Sequence, residues 1–243
     1  MNKRFVVYEE IGAGGNSHVY KARDILLNRI CALKVIVMKG KKQRQNYVDT
    51  VTFVKQLSYD HVIQVLDWFC EEECLYICMP LVQGTTLLDA MKHKKTPMME
   101  VLSWMIQIAE VLYALHHHSP HPIYYVDIKP QNMLCDRDGK VYLIDFDSIV
   151  YCEGMKVHSA TKGYAPKEVY EQHRADVYSD MFSYGMSFYV LLHHCFPHPE
   201  VCAHPLDPIV HKCINENMHL RYTSFYEIVQ VLQQFRKEWM VYE

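Results

Sequence analysis

The sequence lacks most of the features that mark membrane proteins and nucleic-acid-binding proteins. Its longest apolar stretch, Met181 to Leu192, is broken by Ser183, Gly185 and Ser187 and is too short to cross a bilayer. The formal net charge is only −3 over 243 residues, so the chain has no general attraction for nucleic acid or for an anionic membrane. We therefore expect no nucleic-acid partner and no membrane segment in this chain.

Disulfide frameworks, repeats and low-complexity tracts are missing too. The nine cysteines are odd in number and irregularly spaced, and the first residues do not have the pattern of a secretory signal. We expect reduced thiols and a cytoplasmic protein. The chain has only nine glycines and ten prolines, without a repeat or a biased segment. Half of the residues are apolar, which is enough to bury one large domain or two coupled lobes.

The first 80 residues favour strands. β-Branched and aromatic residues dominate their apolar runs, and glycine-rich or polar segments separate these runs. One segment differs, since Tyr47, Val51, Val54 and Leu57 recur at helical spacing. Pro80 to Gly84 then predicts a connector. The predicted strands are 5–11, 18–23, 29–37, 62–69 and 75–79, and the predicted helix is 43–57.

The rest of the chain favours helices. The apolar stretch from Asp180 to Leu192 predicts a helix that is buried on every side. A final helix begins with a capping box formed by Ser224 and Glu227, and Asp138-Gly139 predicts a tight hairpin. A strand-rich part followed by a helix-rich part indicates an α+β, two-lobed layout. The predicted helices are 98–116, 180–192 and 224–235, and the hairpin strands are 133–135 and 141–144.

The segment from Tyr125 to Asn132 carries the most informative polar residues. Asp127 is followed two residues later by Lys129 and five residues later by Asn132. In phosphoryl transfer, an aspartate orients the substrate hydroxyl, a lysine reaches the transferring phosphate, and an asparagine oxygen binds magnesium. A later predicted strand ends at Asp145, whose carboxylate suits a second metal contact. Each motif alone is weak, but their order and spacing together favour a phosphotransfer site.

A glycine-rich turn lies between the first two predicted strands. Its pattern is Gly12-x-Gly14-x-x-Ser17-x-Val19, and the backbone N–H groups of such a turn can approach phosphates. A lone glycine-rich turn is more often a simple hairpin. Here the next strand carries Lys34, at the place of a lysine that pairs with the α- and β-phosphates. The turn and the lysine together favour nucleotide binding.

Taken together, these motifs resemble those of the eukaryotic-like, Hanks-type serine/threonine protein kinase family over nearly the whole chain. Pro122 to Asn132 is closest in style to the bacterial branch, and Thr161 to Tyr170 is similar to the end of the family's activation segment. The resemblance implies a two-lobed α+β fold with an antiparallel N-lobe sheet and a helical C-lobe. It also implies Mg²⁺-dependent transfer of the ATP γ-phosphate to Ser or Thr of a protein, with Mn²⁺ as an alternative ion. The implied domain is 1–243, with an N-lobe of 1–79, a hinge of 80–84 and a C-lobe of 85–243.

The resemblance also implies roles for individual residues. The implied catalytic residues are Asp127, Lys129, Lys34 and Thr161, with Thr161 bonded to both Asp127 and Lys129. The implied metal ligands are Asn132 and Asp145. The implied structural residues are Glu168, Asp180 and Arg221, of which Glu168 and Arg221 form a pair. The implied nucleotide contacts are Ile11, Gly12, Gly14, Val19, Ala32, Lys34, Met79, Pro80, Leu81, Val82 and Leu134.

Three positions depart from the family pattern. The helix glutamate that pairs with Lys34 is replaced by Thr50, and the adjacent Asp49 is rotated away by about 100°. The arginine before the catalytic aspartate is Val126, so we expect any activity to be independent of phosphate on the activation segment. The glycine after Asp-Phe is Asp147, which limits the flexibility of that turn. We expect Asp147 to point to solvent, and the alternative is that it adds a carboxylate near the metals.

These departures leave other functions open. One is a pseudokinase, a nucleotide-binding signalling module with little or no phosphotransfer. Another is a kinase of small molecules such as aminoglycosides or choline, although such enzymes lack the Lys129-Pro130 pair and this activation segment. A regulatory protein partner that completes the active arrangement is a further alternative. The basic run Lys39 to Arg44 is read as a solvated face, with docking of an acidic partner as its alternative.

Histidine is abundant, and two groups of histidines raise the alternative of a zinc site. Their spacing is irregular and prolines interrupt the second group, so we expect surface and loop residues instead of a structural metal. Three cysteines with strand-like spacing are expected in the core or at its rim. The histidine groups are His116, His117, His118 and His121, and His193, His194, Cys195, His198, Cys202 and His204, with Pro197 and Pro199 among the latter. The cysteines are Cys70, Cys74 and Cys78.

Overall fold

The computed structural model of the protein describes residues 4–93, 96–157, 159–198 and 203–242. The chain forms two compact units. The strand unit comprises Met1–Ser58 and Val62–Gln83, and the helical unit comprises Tyr59–His61 and Gly84–Glu243. The predicted α+β layout, with strands first and helices after them, is confirmed.

The strand unit contains one antiparallel sheet of five strands, β1 Phe5–Ala13, β2 Ser17–Asp24, β3 Arg29–Val37, β4 Asp67–Glu71 and β5 Cys74–Pro80, in the order β1-β2-β3-β5-β4. The predicted strand at 62–69 forms only from Asp67 onward. Its earlier apolar residues, including Ile63 and Val65, are buried without joining the ladder, so burial explains their pattern. Helix α1 Lys41–Val54 lies between β3 and β4 in the chain.

The two faces of this sheet have different contents. Side chains of directly paired residues share a face, and neighbours along a strand alternate between faces. Lys34 is paired with Val19 on β2, and Ala32 is paired with Met79 on β5, so these four residues share one face. The opposite face contains the buried core cluster of Phe5, Ala22, Cys31, Leu33, Tyr76 and Cys78.

The helical unit contains a small antiparallel sheet and most of the helices. Four short elements of this unit, β6 Gly84–Thr86, α2 Leu87–His93, α4 Lys167–Gln172 and α6 Asp207–Cys213, were not predicted, because three to seven residues are too few to show a period. The other strands are β7 Met133–Asp136 and β8 Val141–Leu143. The other helices are α3 Met98–His116, α5 Val177–His193 and α7 Phe225–Tyr242.

Two long helices form the centre of this unit. α5 starts with a capping box in which Asp176 Oδ1 accepts from the Ser179 N–H at 2.8 Å and Ser179 Oγ accepts from the Asp176 N–H at 2.9 Å. α3 packs against both α5 and α7. By length and composition alone α3 is the one described helix that could cross a membrane, and 56% of that stretch is buried inside the protein.

The last helix departs from its predicted start and end. The Glu227 N–H donates to Ser224 Oγ at 3.3 Å, as a capping box requires. The Glu227 carboxylate accepts instead from the Thr223 N–H at 3.1 Å, so only half of the predicted box forms. The helix then continues to Tyr242, past the predicted end at Phe235.

Candidate active site

Asp127 is the centre of a hydrogen-bond network in the helical unit. Its Oδ2 accepts from Lys129 Nζ at 2.7 Å and from Asn132 Nδ2 at 3.2 Å. Its Oδ1 accepts from Thr161 Oγ1 at 2.6 Å, and Lys129 Nζ also donates to Thr161 Oγ1 at 2.7 Å. Three side chains therefore hold one carboxylate in a single orientation.

The loop that carries these residues is shaped by its own turn and by α5. Pro130 opens a short 3₁₀ turn that ends at Asn132, and the Asn132 N–H donates to the Lys129 carbonyl at 2.9 Å. Ser187 of α5 donates its hydroxyl to the Ile128 carbonyl at 2.8 Å. Asn132 also donates its Nδ2 to the Asp127 carbonyl at 2.9 Å. The turn that begins at Pro130 and the contact with α5 thus bring Asp127, Lys129 and Asn132 together.

Asp180 of α5 binds the backbone of the same loop. Its carboxylate is fully buried and accepts from the backbone N–H groups of Tyr125 and Val126, each at 2.8 Å. His116 Nε2 lies 2.9 Å from the same carboxylate. Val126 has a φ of +69°, which for a β-branched residue costs roughly 1–3 kcal/mol. The hydrogen bonds to Asp180 stabilise this strained backbone directly before the candidate catalytic aspartate.

Asp145 follows β8 and is tied to the catalytic loop. Its backbone N–H donates to the Tyr125 hydroxyl at 3.2 Å, and its Oδ1 accepts from the Asp147 N–H at 3.1 Å. Burial raises the pKa of Tyr125 well above its ordinary value, so the phenol stays neutral. Phe146 packs edge-on against the Tyr125 ring at 5.5 Å. Asp147 itself is half-buried, so its direction toward solvent stays a prediction.

The donor set of this loop fits magnesium. Asn132 donates its Nδ2 to Asp127, so its side-chain oxygen points away from Asp127. The Ile144 N–H donates to the main-chain carbonyl of Asn132 at 3.1 Å, which brings Asn132 next to the residue before Asp145. Magnesium prefers such oxygens and takes its remaining ligands from phosphates and water. Among the described residues, no group of three or more His, Cys, Asp or Glu could hold a metal alone.

The strand unit contains all the predicted nucleotide residues except Leu134, and five of them share one sheet face. Lys34 is buried, with 6% of its surface exposed, and lies on β3 between Val19 and Ile77. Gly12 is paired with Val19 on the neighbouring strands. Ala32 and Met79, both predicted, are paired farther along the same face, as described above.

The glycine-rich turn closes tightly at Gly14. The Gly14 N–H donates to the Ser17 carbonyl at 2.7 Å, and a Cβ at Gly14 would lie 2.9 Å from Ser17 Oγ. A side chain there would require the Ser17 hydroxyl to rotate away. Ile11 is 47% exposed on β1. The remaining predicted contacts are Pro80 at the end of β5, Leu81 and Val82 after it, and Leu134 on β7 of the helical unit.

Helix α1 provides no glutamate for Lys34. Thr50 is buried, at 8% exposure. Asp49 is the only acidic residue of α1; it is exposed, and its Oδ1 accepts from Gln45 Nε2 at 2.7 Å. The helix therefore uses its one carboxylate on its own surface, in line with the rotation that the sequence predicts for Asp49.

The buried Arg221 and the partly exposed Glu168 form an ion pair at 2.6 Å, at the end of the activation segment. Arg221 also donates to the carbonyls of Tyr178 at 2.9 Å and Asn215 at 2.8 Å. Its guanidinium lies 4.9 Å from the Phe182 ring centroid. These contacts join α4, α5 and the segment before α7, so the ion pair stabilises the packing of these elements.

Two histidines were predicted wrongly as surface or loop residues. His116 and His193 end α3 and α5, and their side chains are only 7% and 5% exposed. Each meets a carboxylate, since His193 Nε2 lies 2.6 Å from Asp207 Oδ1. Their carboxylate partners, Asp180 and Asp207, lie 64 and 14 residues farther along the chain, so no local pattern could identify these contacts. His117, His121, His194 and His198 are exposed, as expected.

The cysteine predictions divide in a similar way. Cys78 is in the core at 1% exposure, and Cys70 and Cys74 are half-buried at the rim. Cys202 and Pro199 of the second histidine group lie outside the described residues.

Sequence reasoning missed an ion-pair cluster in the strand unit. Arg4 donates to both oxygens of the fully buried Asp24, at 3.1 and 2.7 Å, and to Asp67 at 2.6 Å. Lys55 reaches the other oxygen of Asp67 at 3.0 Å. The partners are 20 and 63 residues apart for Arg4, so no local pattern could reveal them.

Comparison with known proteins gives the same picture as the geometry. Relatives include a probable serine/threonine-protein kinase of Clostridium perfringens, 31% identical over 192 residues that cover 74% of this chain and 28% of that protein. Calcium-dependent protein kinase 3 of Plasmodium yoelii yoelii is 32% identical over 76% of this chain and 35% of its own length. Human myosin light chain kinase 3 is 29% identical over 76% of this chain and 23% of its own length.

The chain thus matches about a third or less of the length of these curated relatives. The family described as protein kinase domain matches residues 5–240, nearly the whole chain. With Asp127, Lys129 and Asn132 on one loop and Thr161 bonded to it, the chain belongs to the protein kinase family.

Proposed function

We propose that this chain transfers the γ-phosphate of ATP to a serine or threonine hydroxyl of a protein substrate. The observation that supports this most strongly is the triangle formed by Asp127, Lys129 and Thr161, whose polar atoms lie 2.6–2.7 Å apart. A carboxylate next to an ammonium group suits a reaction in which a hydroxyl loses a proton while phosphate charge is neutralised.

Each residue of the triangle has a proposed part in the reaction. Asp127 accepts a hydrogen bond from the substrate hydroxyl and orients its oxygen toward the γ-phosphorus. The new oxygen–phosphorus bond forms, the bond to the bridging oxygen of ADP breaks, and the hydroxyl proton passes to Asp127. Lys129 neutralises charge on the transferring phosphoryl group, and Thr161 holds Asp127 in place. General-base positioning of this kind contributes roughly 10²–10⁴ in rate.

The nucleotide contacts are proposed for the strand unit. Lys34 would pair with the α- and β-phosphates, and the N–H groups of the turn at Gly12 to Gly14 would approach the phosphates. Asn132 and Asp145 would hold Mg²⁺, or Mn²⁺, which when bound neutralises phosphate charge. We propose in addition that the chain acts in the cytoplasm on a protein substrate and that a regulatory protein partner binds it.

Replacing Asp127 tests the proposal. Asp127→Asn keeps the size of the side chain and removes the base, so incorporation of ³²P from γ-labelled ATP into a generic protein substrate should fall by about 10²-fold or more. The matched control is Asp138→Asn, on the exposed turn between β7 and β8, which should leave the rate unchanged. Phosphoamino-acid analysis should show phosphoserine or phosphothreonine. Equal rates for wild type and Asp127→Asn would refute the assignment.

The helix α1 supports a second candidate function. Since Thr50 replaces the glutamate and Asp49 is engaged with Gln45, the chain could act as a nucleotide-binding module that signals without fast phosphotransfer. Magnesium-dependent ATP binding without any ³²P incorporation by the wild type would favour this candidate over the first one.

A further inference from the structure

Val126 lies in an apolar cluster formed mainly by the activation segment, which here means residues 145–170. It is 2% exposed, although the residue after it, Asp127, is polar and partly exposed. Partly buried apolar residues at the edge of the cluster, including Tyr124 and Met155, pack against it. The buried members, here called the Val126 cluster, are Val126, Val150, Val157, Ala165 and Val169.

Backbone hydrogen bonds hold the activation segment at the same place. Tyr124 and Val150 form an antiparallel bridge, with N–H to carbonyl distances of 2.8 and 2.9 Å in the two directions. Farther along, the Val157 N–H donates to the His173 carbonyl at 2.9 Å. The segment is therefore attached to the catalytic loop at its start and to the end of α4 near its middle.

The cluster lies on both sides of Thr161 in the sequence. Val157 precedes Thr161 by four residues and Ala165 follows it by four, and four residues span at most about 14 Å. Anchoring both flanks thus confines Thr161 to a small region. In that region its N–H and its hydroxyl both donate to Asp127 Oδ1, at 3.2 and 2.6 Å.

We propose that Val126 is a positioning residue whose apolar contacts hold the activation segment so that Thr161 reaches Asp127 without a phosphorylated side chain. The cluster performs by burial what a phosphate held by cations would otherwise perform by charge. A phosphate would find no stabilisation inside it, because burying a charge among apolar side chains is costly. The kinetic consequence of this proposal rests on the proposed function; the structural consequence does not.

Hydrogen exchange separates this role from ordinary core packing. Val126→Thr keeps the shape and the β-branching of the residue, and therefore the backbone strain, while it places a hydroxyl in the cluster. Val111→Thr makes the same change at a buried valine of α3 that is 3% exposed and outside the cluster. Both variants should lower the melting temperature, but only Val126→Thr should speed exchange of the Val150 and Val157 amides, by about tenfold or more. Val126→Ile, which keeps an apolar β-branched side chain, should retain the slow exchange of the Val150 and Val157 amides.

Kinetics provide the second measurement. Val126→Thr should lower kcat by about tenfold with little change in the KM for ATP, because Thr161 no longer holds Asp127 in place. Phosphatase treatment of the wild type should leave its rate unchanged.

Two results would overturn the proposal. The first is that hydrogen exchange of the Val150 and Val157 amides is no faster in Val126→Thr than in Val111→Thr. The second is that the wild type loses its activity after phosphatase treatment. If the wild type transfers no phosphate at all, the proposed function fails, and the exchange measurement still decides whether the cluster holds the segment.

Discussion

Asp24 in the strand unit and Asp180 in the helical unit are both fully buried, yet their charges are stabilised in different ways. Asp24 pairs with a cation, the guanidinium of Arg4, and it also accepts from the N–H groups of Leu26 and Leu27 in an exposed turn, at 3.1 and 3.2 Å. Asp180 accepts from two backbone N–H groups of the catalytic loop and lies against His116. The first carboxylate fastens two strands, whereas the second one holds a strained backbone next to the candidate base.

This difference teaches which buried charge can be replaced. The hydrogen bonds from Arg4 lower the pKa of Asp24, but a buried ion pair is often replaceable by apolar side chains without loss of stability. Asp180 has no such substitute, because an apolar side chain cannot accept from the N–H groups of the buried Tyr125 and Val126. The N–H donors to Asp24 belong to the exposed Leu26 and Leu27, where water can replace the carboxylate. The comparison therefore predicts that one site tolerates redesign and the other does not.

The largest effect is expected at Asp180. Asp180→Ala leaves two buried N–H groups without acceptors and should lower the free energy of unfolding by about 4 kcal/mol. It should also abolish phosphotransfer, since Val126 would leave its strained conformation. Urea unfolding and the ³²P assay measure both effects. Asp180→Asn, which keeps one acceptor oxygen, should lose about half as much stability, and a loss of less than about 1 kcal/mol in Asp180→Ala would contradict the role of these bonds.

A smaller effect is expected at Arg4. Arg4→Met strands the carboxylate of Asp24 in the core and should cost about 3 kcal/mol in urea unfolding. The double variant Arg4→Met/Asp24→Leu removes the stranded charge as well and should recover most of that loss. A double variant as unstable as Arg4→Met alone would show that Asp24 is not the replaceable charge that the comparison claims.

A third buried carboxylate can be introduced at Thr50. Thr50→Glu should survive burial only if Lys34 neutralises it, and in that case the ATP affinity and rate should rise up to about tenfold. The matched control is Thr50→Gln, which has the same size without the charge. No gain over Thr50→Gln, by calorimetry with ATP and magnesium, would indicate that another carboxylate already serves Lys34.

The smallest effect is a pH dependence in the strand unit. Hydrogen bonds from Arg4 and then Lys55 lower the pKa of Asp67 to about 2. Since this lies below the ordinary value of 3.8, the stabilisation is complete above pH 3.8 and is lost as the pH falls toward 2. It amounts to at most about 1 kcal/mol because the carboxylate is partly exposed. Melting temperatures of wild type and Asp67→Asn should differ at pH 6 and converge near pH 2; a constant difference would contradict this origin.

Long elements could be predicted from the sequence because they repeat their period. β3 and α3 have the predicted bounds, Arg29–Val37 and Met98–His116, since both combine a long apolar pattern with clear ends. The six-residue α4 and the three-residue β6 have too few residues to show a period. Their positions depend on what packs against them.

The candidate site divides in the same way. Asp127, Lys129 and Asn132 are within five residues of one another, so their spacing already predicts a shared loop. The contact of Thr161 with Asp127 spans 34 residues and was implied only by the family resemblance. The positive φ of Val126 has no sequence signal, because valine is among the residues least suited to that conformation.

The sequence by itself determined the order of strands and helices, the local catalytic motif and the loss of the α1 glutamate, since each depends on residues that are near neighbours in the chain. Only the tertiary structure decided that Asp180 and His116 meet the catalytic loop, that Arg4 neutralises Asp24, and that an apolar cluster flanks Thr161. The physical reason is distance along the chain. Hydrogen bonds and apolar contacts between residues 20 to 64 positions apart depend on how whole elements pack, which no local pattern of residue types encodes.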